Sequence, residues 1–290
     1  MKILLFGGSG QLGRELKKRF ASLRFEVVSP VASEVSIEDK EQVEFLVEKI
    51  KPDIAVNCAA YTRVDDAESH RERAFKVNAE GPAHLAQSLA KIKARLIHIS
   101  TDYVFDGTLG RALKESDPTY PLNVYGESKL AGEKAVLETL PDSALVVRTS
   151  SLHGQFGQNF VHTMLSLFES RDEVLVVEDQ LMSPTWAGWL AEVLIDLCRV
   201  NSTGVLHASG GGMVSWYDFA REIYQISGGA ETYTNLRVRP TSESEFKRPA
   251  KRPKNSALDS SNLEKVIGRS VISWQEGLRF HLNDIGKCVA

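Results

Sequence analysis

Short apolar runs recur along the first half of the chain, each followed by a segment whose apolar positions fall three or four apart. Ile3-Leu4-Leu5-Phe6, Phe25-Glu26-Val27-Val28-Ser29, Asp53-Ile54-Ala55-Val56-Asn57, Arg95-Leu96-Ile97-His98-Ile99-Ser100 and Ala144-Leu145-Val146-Val147-Arg148 read as strands. Strands this apolar suit a parallel sheet covered on both faces. Between them, Leu12, Leu16 and Phe20 repeat every four residues, Val43, Leu46, Val47 and Ile50 mark a helix predicted over 37–49, and Phe75, Val77 and Leu85 mark one over 73–91. Five strand–helix alternations predict an α/β fold, a doubly wound parallel sheet of the Rossmann kind.

The second half is less regular. Asn159-Phe160-Val161 opens a helix carrying Met164, Leu165, Leu167 and Phe168, and Val174-Leu175-Val176-Val177 reads as a strand. A strongly apolar helix follows over 186–199. Gly204-Val205-Leu206-His207 looks like a strand returning to the main sheet, and Ser215 is placed to cap the helix begun by Trp216-Tyr217-Asp218. The expected division is a Rossmann domain over 1–151 and a smaller lobe over 152–290, with part of 183–208 returning to the main sheet.

Composition narrows the function classes. The 290 residues are 42% hydrophobic and carry a formal charge of −3, enough for a full core and too acidic for a general nucleic-acid or membrane binder. Cys58, Cys198 and Cys288 are unclustered, which suits a reducing compartment and argues against a disulfide framework or a zinc site. The seven histidines form no metal-binding pair. No run approaches a membrane span, and Ile3 to Phe6 stops at glycine, so a soluble cytoplasmic protein is expected.

The chemistry begins at Gly7-Gly8-Ser9-Gly10-Gln11-Leu12-Gly13, between a strand and a helix. Such glycines let backbone N–H groups approach a pyrophosphate, and the helix N-terminus favours its charge. The spacing fits a register starting at Gly7 or at Gly8. Ser29-Pro30 supplies no acid for a ribose hydroxyl after the second strand, so the choice between NAD and NADP stays open. Cys58-Ala59-Ala60-Tyr61-Thr62 puts small residues past the third strand, either for a ligand or for tight helix packing. Val64-Asp65-Asp66-Ala67-Glu68 reads as solvated surface. Asn78 lies among apolar positions and is either structural or the orderer of a water chain. Thr101 stands where the fourth strand ends and could bond a substrate carbonyl oxygen. Tyr125 and Lys129 share one helix face, and an ammonium there is expected to lower the phenol pKa into a useful range. The segment 247–254 holds five cations in eight residues, either a solvated loop or a clamp on an anionic group such as a diphosphate.

These residues resemble the extended short-chain dehydrogenase/reductases and, among them, the dTDP-4-dehydrorhamnose reductase family. The likeness runs through the glycine turn, Asn57-Cys58-Ala59-Ala60-Tyr61-Thr62, Ser100-Thr101-Asp102-Tyr103-Val104-Phe105-Asp106-Gly107 and Pro121-Leu122-Asn123-Val124-Tyr125-Gly126-Glu127-Ser128-Lys129. It continues to Arg148-Thr149-Ser150, Asp179-Gln180 with Ser183-Pro184-Thr185, and Arg252-Pro253-Lys254-Asn255-Ser256. The resemblance implies hydride transfer from NADPH or NADH to the C4 ketone of a dTDP-linked deoxyhexose, with Thr101, Tyr125 and Lys129 as the catalytic set. It implies cofactor contacts from Gly7, Gly10, Gln11, Leu12, Gly13, Ser36, Ile37, Ala59, Ala60, Tyr61, Thr62 and Asn78, besides Tyr125 and Lys129. Substrate contacts are implied for Thr101, Tyr103, Ser151, Asn159 and Arg252.

Three positions depart from the pattern. Ser151 replaces a tryptophan that packs on the sugar in many members, and Ser36-Ile37 replaces an acid–apolar pair near the adenine. Some members bridge a homodimer through magnesium with acidic side chains; Glu15 matches one, but Gly188 stands where another acid is expected, so no obligatory metal is expected. A homodimer is compatible with this reading. Two rivals stay open. An epimerase or dehydratase would keep the fold, though Tyr103 stands where a dehydratase carries a second acid. A cofactor-binding regulatory subunit resembling the methionine adenosyltransferase β-subunit would lack turnover.

Overall fold

The computed structural model describes residues 1–289. Its first half alternates β1 (Lys2–Phe6), α1 (Gln11–Phe20), β2 (Glu26–Val28), α2 (Lys40–Ile50) and β3 (Ile54–Asn57). Then come α3 (Val64–Ser69), α4 (Arg71–Phe75), a π-helical turn (Lys76–Glu80), α5 (Gly81–Ile92), β4 (Arg95–Thr101), α6 (Val124–Thr139) and β5 (Ala144–Thr149). The second half adds β6 (Leu152–His153), α7 (Phe160–Ser170), β7 (Glu173–Val177), β8 (Leu181–Met182), β9 (Thr185–Trp186), α8 (Ala187–Arg199) and β10 (Gly204–His207). It ends with β11 (Val214–Ser215), α9 (Trp216–Ile226), α10 (Gly229–Thr232), β12 (Arg237–Thr241), α11 (Ser261–Ile267) and α12 (Trp274–Asp284).

Six strands form one parallel sheet in the order β10-β5-β4-β3-β1-β2. Successive side chains on a strand point to opposite faces, and both faces are apolar here. Ile3, Leu5, Val56, Ile97 and Val147 pack with α1 and α8 through Leu16, Leu190 and Leu194. Leu4, Ala55, Leu96 and Val146 pack with α2 and α5 through Val43, Leu85 and Leu89. This is the doubly wound sheet that the strand–helix alternation predicts. β10 comes from the second half, yet it pairs with β5, Gly204 opposite Leu145.

A separate apolar cluster joins α7, α9, α12 and β7 through Met164, Phe168, Val174, Phe219, Ile223 and Leu278. Beside it β7 pairs with β12, β8 with β11 and β6 with β9. No helix among the described residues is long and apolar enough to cross a membrane.

Element boundaries differ from the sequence reading where side chains intervene. The helix expected over 37–49 starts at Lys40, because the Asp39 side chain accepts the Gln42 N–H at 3.1 Å and caps it. The single helix expected over 73–91 is three pieces. Pro82 lacks the N–H that the carbonyl of Asn78 would need in an α-helix, and a π turn fills the gap. The segment 64–68 lies within α3, with Asp66 and Glu68 exposed as expected and Ala67 buried, and it makes two contacts that shape the site.

Candidate active site

In parallel sheets of this kind ligands gather outside the carboxyl ends of the strands. A cleft of about 570 Å³ lies there, lined by residues that follow β1, β3, β4 and β5 together with the start of α6. Ser151, Leu152, Gly157, Gln158 and Trp216 line it from the second half of the chain.

The glycine turn forms one end. Gly7 has φ +76°, a conformation strained for any side chain, and a Cβ there would lie 2.5 Å from the backbone nitrogen of Ala59. Gly10 precedes α1 as its N-cap and has no side chain to accept a hydrogen bond. The first N–H groups of α1 are therefore left for an anion. Ser100 Oγ and Thr149 Oγ1, also in the lining, are buried with no hydrogen-bond partner. A phosphate-seating turn and two unpaired hydroxyls at the carboxyl ends of β4 and β5 fit a nicotinamide dinucleotide laid across the strand ends.

The start of α6 is tied down from several directions. Asn123 caps it, accepting the Gly126 N–H at 2.8 Å, and its amide donates to the Lys251 carbonyl at 2.7 Å. Glu68 of α3 accepts the Val124 N–H at 2.9 Å. Gly126 lets the helix approach the segment after β4 closely, since a Cβ there would lie 2.2 Å from the Tyr103 carbonyl oxygen. These contacts bring Tyr125 beside Thr101 and Tyr103, the two tyrosine rings meeting edge to face with centroids 5.9 Å apart.

Lys129 is 2% exposed and donates to the Ile99 carbonyl at 2.6 Å. Burial lowers its pKa to about 8, and Glu133, one turn further along α6, opposes the drop. Glu133 in turn accepts from Arg148 through both oxygens, at 2.9 and 2.7 Å. The expected lowering of the Tyr125 pKa by this lysine is corrected by the structure. Burial pushes the phenol up to about 12, and the neighbouring Thr101 hydroxyl opposes the rise. The ammonium is turned to Ile99, and tertiary packing rather than helix spacing sets that direction.

Of the residues singled out from sequence, Gly7, Gly10, Gln11, Leu12, Gly13, Ala60, Thr62, Thr101, Tyr103, Tyr125, Lys129 and Ser151 line the cleft. Asn78 does not. It is fully buried, its amide oxygen accepting the Tyr61 N–H and its amide nitrogen donating to the Tyr61 carbonyl and Ser128 Oγ. It braces the loop after β3 against α6. Ile37 is buried against α2 and α5, and neither it nor Ser36 reaches the cleft lining. Ala59 and Tyr61 also lie behind the lining.

Asn159 caps α7 and donates to Gln11 Oε1 at 3.0 Å and the Gly154 carbonyl at 2.8 Å. It links α7 to the glycine turn instead of facing the cleft. Arg252 grips Asp65 of α3 through two bonds of 2.7 Å, so this cation is committed within the chain, while Lys247, Arg248, Lys251 and Lys254 are exposed. Glu15 is fully buried against Arg19 and Gln155. Ser151 adopts φ +43° at the turn out of β5.

Residues that sequence reasoning did not assign include Ser100, Asp102, Thr149, Gln158 and Trp216. The strand-end rule that picks out Thr101 would also have picked out Ser100 and Thr149. Nothing in the local pattern at Gln158 or Trp216 signals that the chain folds back over the sheet edge.

A doubly wound sheet with a glycine turn after β1 and Thr101, Tyr125 and Lys129 around one cleft defines the extended short-chain dehydrogenase/reductase class. A family model described as RmlD substrate binding domain matches residues 1–286, and the chain belongs to that family. It is similar to a dTDP-4-dehydrorhamnose reductase of Aggregatibacter actinomycetemcomitans, 38% identical over 286 residues, with 96% of this chain and 97% of the relative covered. Among solved structures, a dTDP-4-dehydrorhamnose reductase from Clostridium acetobutylicum superposes with a TM-score of 0.94 at 38% identity, over 99% of this chain and all (100%) of the other. One from Bacillus anthracis, in complex with NADP, superposes with a TM-score of 0.91 at 36% identity, covering 98% and 99%.

Proposed function

We propose that this protein reduces the C4 ketone of a nucleotide-linked deoxyhexose with NADPH or NADH, converting dTDP-4-dehydro-L-rhamnose to dTDP-L-rhamnose, a precursor for cell-surface polysaccharide. The observation that carries the reading is one cleft with a phosphate-seating turn at one end and a Thr–Tyr–Lys set at the other. Membership of the family and end-to-end likeness to reductases of this substrate supply the sugar.

The bound dihydronicotinamide supplies the hydride. The N–H groups opening α1 hold the pyrophosphate, and the hydroxyls of Ser100 and Thr149 take up polar groups of the cofactor that would otherwise be buried unpaired. Tyr125 gives its hydroxyl proton to the substrate oxygen as that oxygen gains charge. A phenol held near 12 keeps its proton until such a base forms, which suits a proton donor. Lys129 lines the cleft one turn along α6 from Tyr125, its ammonium anchored on the Ile99 carbonyl, where it is placed to hold the cofactor. Tyr103, Ser151 and Trp216 border the space for the sugar. Ser151 is small, so the flat side chain available on that wall is Trp216. Asn159 and Arg252 act through their neighbours, steadying the glycine turn and the basic loop. Three free thiols suit a cytoplasmic setting.

NAD(P)H oxidation measured with a panel of dTDP-linked ketosugars tests the reading. Stoichiometric oxidation with dTDP-4-dehydro-L-rhamnose is expected. Tyr125→Phe is expected to lose about 10²–10⁴-fold in kcat while cofactor still binds. A regulatory subunit would bind cofactor and oxidise none with any sugar, and an epimerase would turn over without net oxidation.

A further inference from the structure

Asp102 follows Thr101 and is 3% exposed at the border of the cleft. Thr101 Oγ1 donates to its Oδ1 at 2.9 Å, Ser150 Oγ donates to its Oδ2 at 2.8 Å, and Ser256 supplies a further hydroxyl. A threonine hydroxyl has one hydrogen. With that hydrogen on Asp102, and the Tyr103 N–H donated to the same oxygen at 3.2 Å, Thr101 has only a lone pair to turn toward a carbonyl oxygen in the cleft. It cannot polarise a ketone in that state. A carboxyl that keeps its own proton reverses the arrangement: its O–H donates to Thr101 Oγ1, and the threonine hydrogen is released to the substrate oxygen.

We propose that Asp102 is a positioning residue for the reduction, turning the Thr101 hydroxyl toward the substrate oxygen when protonated and away from it when ionised. The inference rests on the reductase reading above. Burial supports it by raising the Asp102 pKa from the ordinary carboxyl value, against the hydroxyls that donate to it. The groups facing the carboxyl are Thr101 and Tyr103 on its own segment, Tyr125 from α6, Ser150 from the end of β5 and Ser256 from the segment after the basic loop. Tyr103 and Tyr125 are both pushed up by burial and stay neutral at the pH of interest. Lys129, on the same face of α6 as Tyr125, titrates at about 8 and gives a separate alkaline step. An ionised Asp102 also opposes loss of the Tyr125 proton, so both effects make the protonated form the productive one.

The test is kcat and KM for dTDP-4-dehydro-L-rhamnose from pH 4 to 9, in wild type, Asp102→Asn and Ser150→Ala, with far-UV circular dichroism at each pH. Wild-type kcat is expected to fall roughly fivefold or more in one step on the acid side of the Lys129 titration, with little change in KM. The amide that Asp102→Asn introduces donates to Thr101 at every pH, so this variant should flatten that step to about twofold or less while the step near 8 remains. Ser150→Ala removes a donor that favours the carboxylate, and the step should move to higher pH. A flat wild-type profile, a step retained in Asp102→Asn, or a Ser150→Ala step that stays put or moves down overturns the proposal. If Asp102→Asn does not fold, the direction of the Ser150→Ala shift decides alone. A wild-type protein that oxidises no NAD(P)H with the sugar sinks the reductase reading itself, which is a different result from an active enzyme without the step.

Discussion

Lys129 carries a charge in a place where charges rarely go. Among the described residues only the Ile99 carbonyl receives its ammonium, and the Glu133–Arg148 pair lies one helical turn away. A folded pKa of about 8 against an unfolded value of 10.5 means the unfolded chain binds this proton more tightly. The charged lysine therefore destabilises the fold below pH 8, and the penalty fades as pH rises from 8 toward 10.5. Lys129→Met keeps the length and drops the charge. It is expected to raise stability at pH 7 by roughly 1–3 kcal/mol, once the lost bond to Ile99 is discounted, while turnover falls by about 10²-fold or more. Thermal melts and NADPH oxidation on one preparation check both halves, and a variant both less stable and fully active would refute the role. The Tyr–Lys spacing was readable in the sequence because a helix period determines it. The lysine's direction was not, because the Ile99 carbonyl comes from a strand some thirty residues earlier in the chain.

The element on which the site turns is α6. It holds Tyr125 and Lys129, takes its cap from Asn123 and is met by Glu68 of α3. Its close approach to the segment after β4 depends on Gly126, where a Cβ would fall 2.2 Å from backbone oxygen and 2.9 Å from Pro121 Cβ. Backbone cannot yield as a side chain can, so Gly126→Ala must push the helix away from Thr101. The expected outcome is a loss of about 1–3 kcal/mol in stability and a fall in kcat of roughly 10²-fold, the scale set by an ångström of misplacement. Urea unfolding and steady-state kinetics check this, and a variant with unchanged kcat would mean the contact does not position Tyr125. The strands that α6 flanks were legible as wholly apolar runs, and α6 itself as the helix opening that puts Tyr125 and Lys129 on one face. Periodicity did not reveal the break at Pro82, nor that the acidic run at 64–69 is a helix whose carboxylates grip Arg252 and Val124. Those roles need partners more than fifty positions away.

At the scale of the molecule, three histidines join elements of the second half. His153 of β6 meets His281 of α12 at 3.1 Å, and His281 meets His162 of α7 at 3.4 Å. One placement of hydrogens accounts for the contacts among the three, with His153 Nε2 left buried and unpartnered. His153 Nδ1–H donates to His281 Nδ1, His281 Nε2–H to His162 Nε2, and His162 Nδ1–H to the Gly157 carbonyl on the cleft wall, at 2.9 Å. Burial takes the His281 pKa down to about 3 and that of His207, on β10, to about 4. Folded values below the unfolded 6.5 give stability that is complete above pH 6.5 and lost as pH falls through the folded values. Melting temperature is expected to hold from pH 8 to 7 and decline steadily from 6.5 to 4.5; a flat profile over that lower range would contradict it. The sheet and its order of layers were legible from strand–helix alternation alone. The cleft wall from the second half was not, because two-residue strands such as β6, β8, β9 and β11 carry no period to read.

The central claim is that a hydride from a dinucleotide seated on the glycine turn reaches the sugar C4 while Tyr125 protonates the oxygen. The most direct measurement is proton NMR of the product formed from dTDP-4-dehydro-L-rhamnose and NADPH deuterated at the transferring position of its nicotinamide C4. The account predicts one deuterium at sugar C4 for each cofactor oxidised. Cofactor oxidised with protium at C4, or sugar converted with no cofactor consumed, would contradict it.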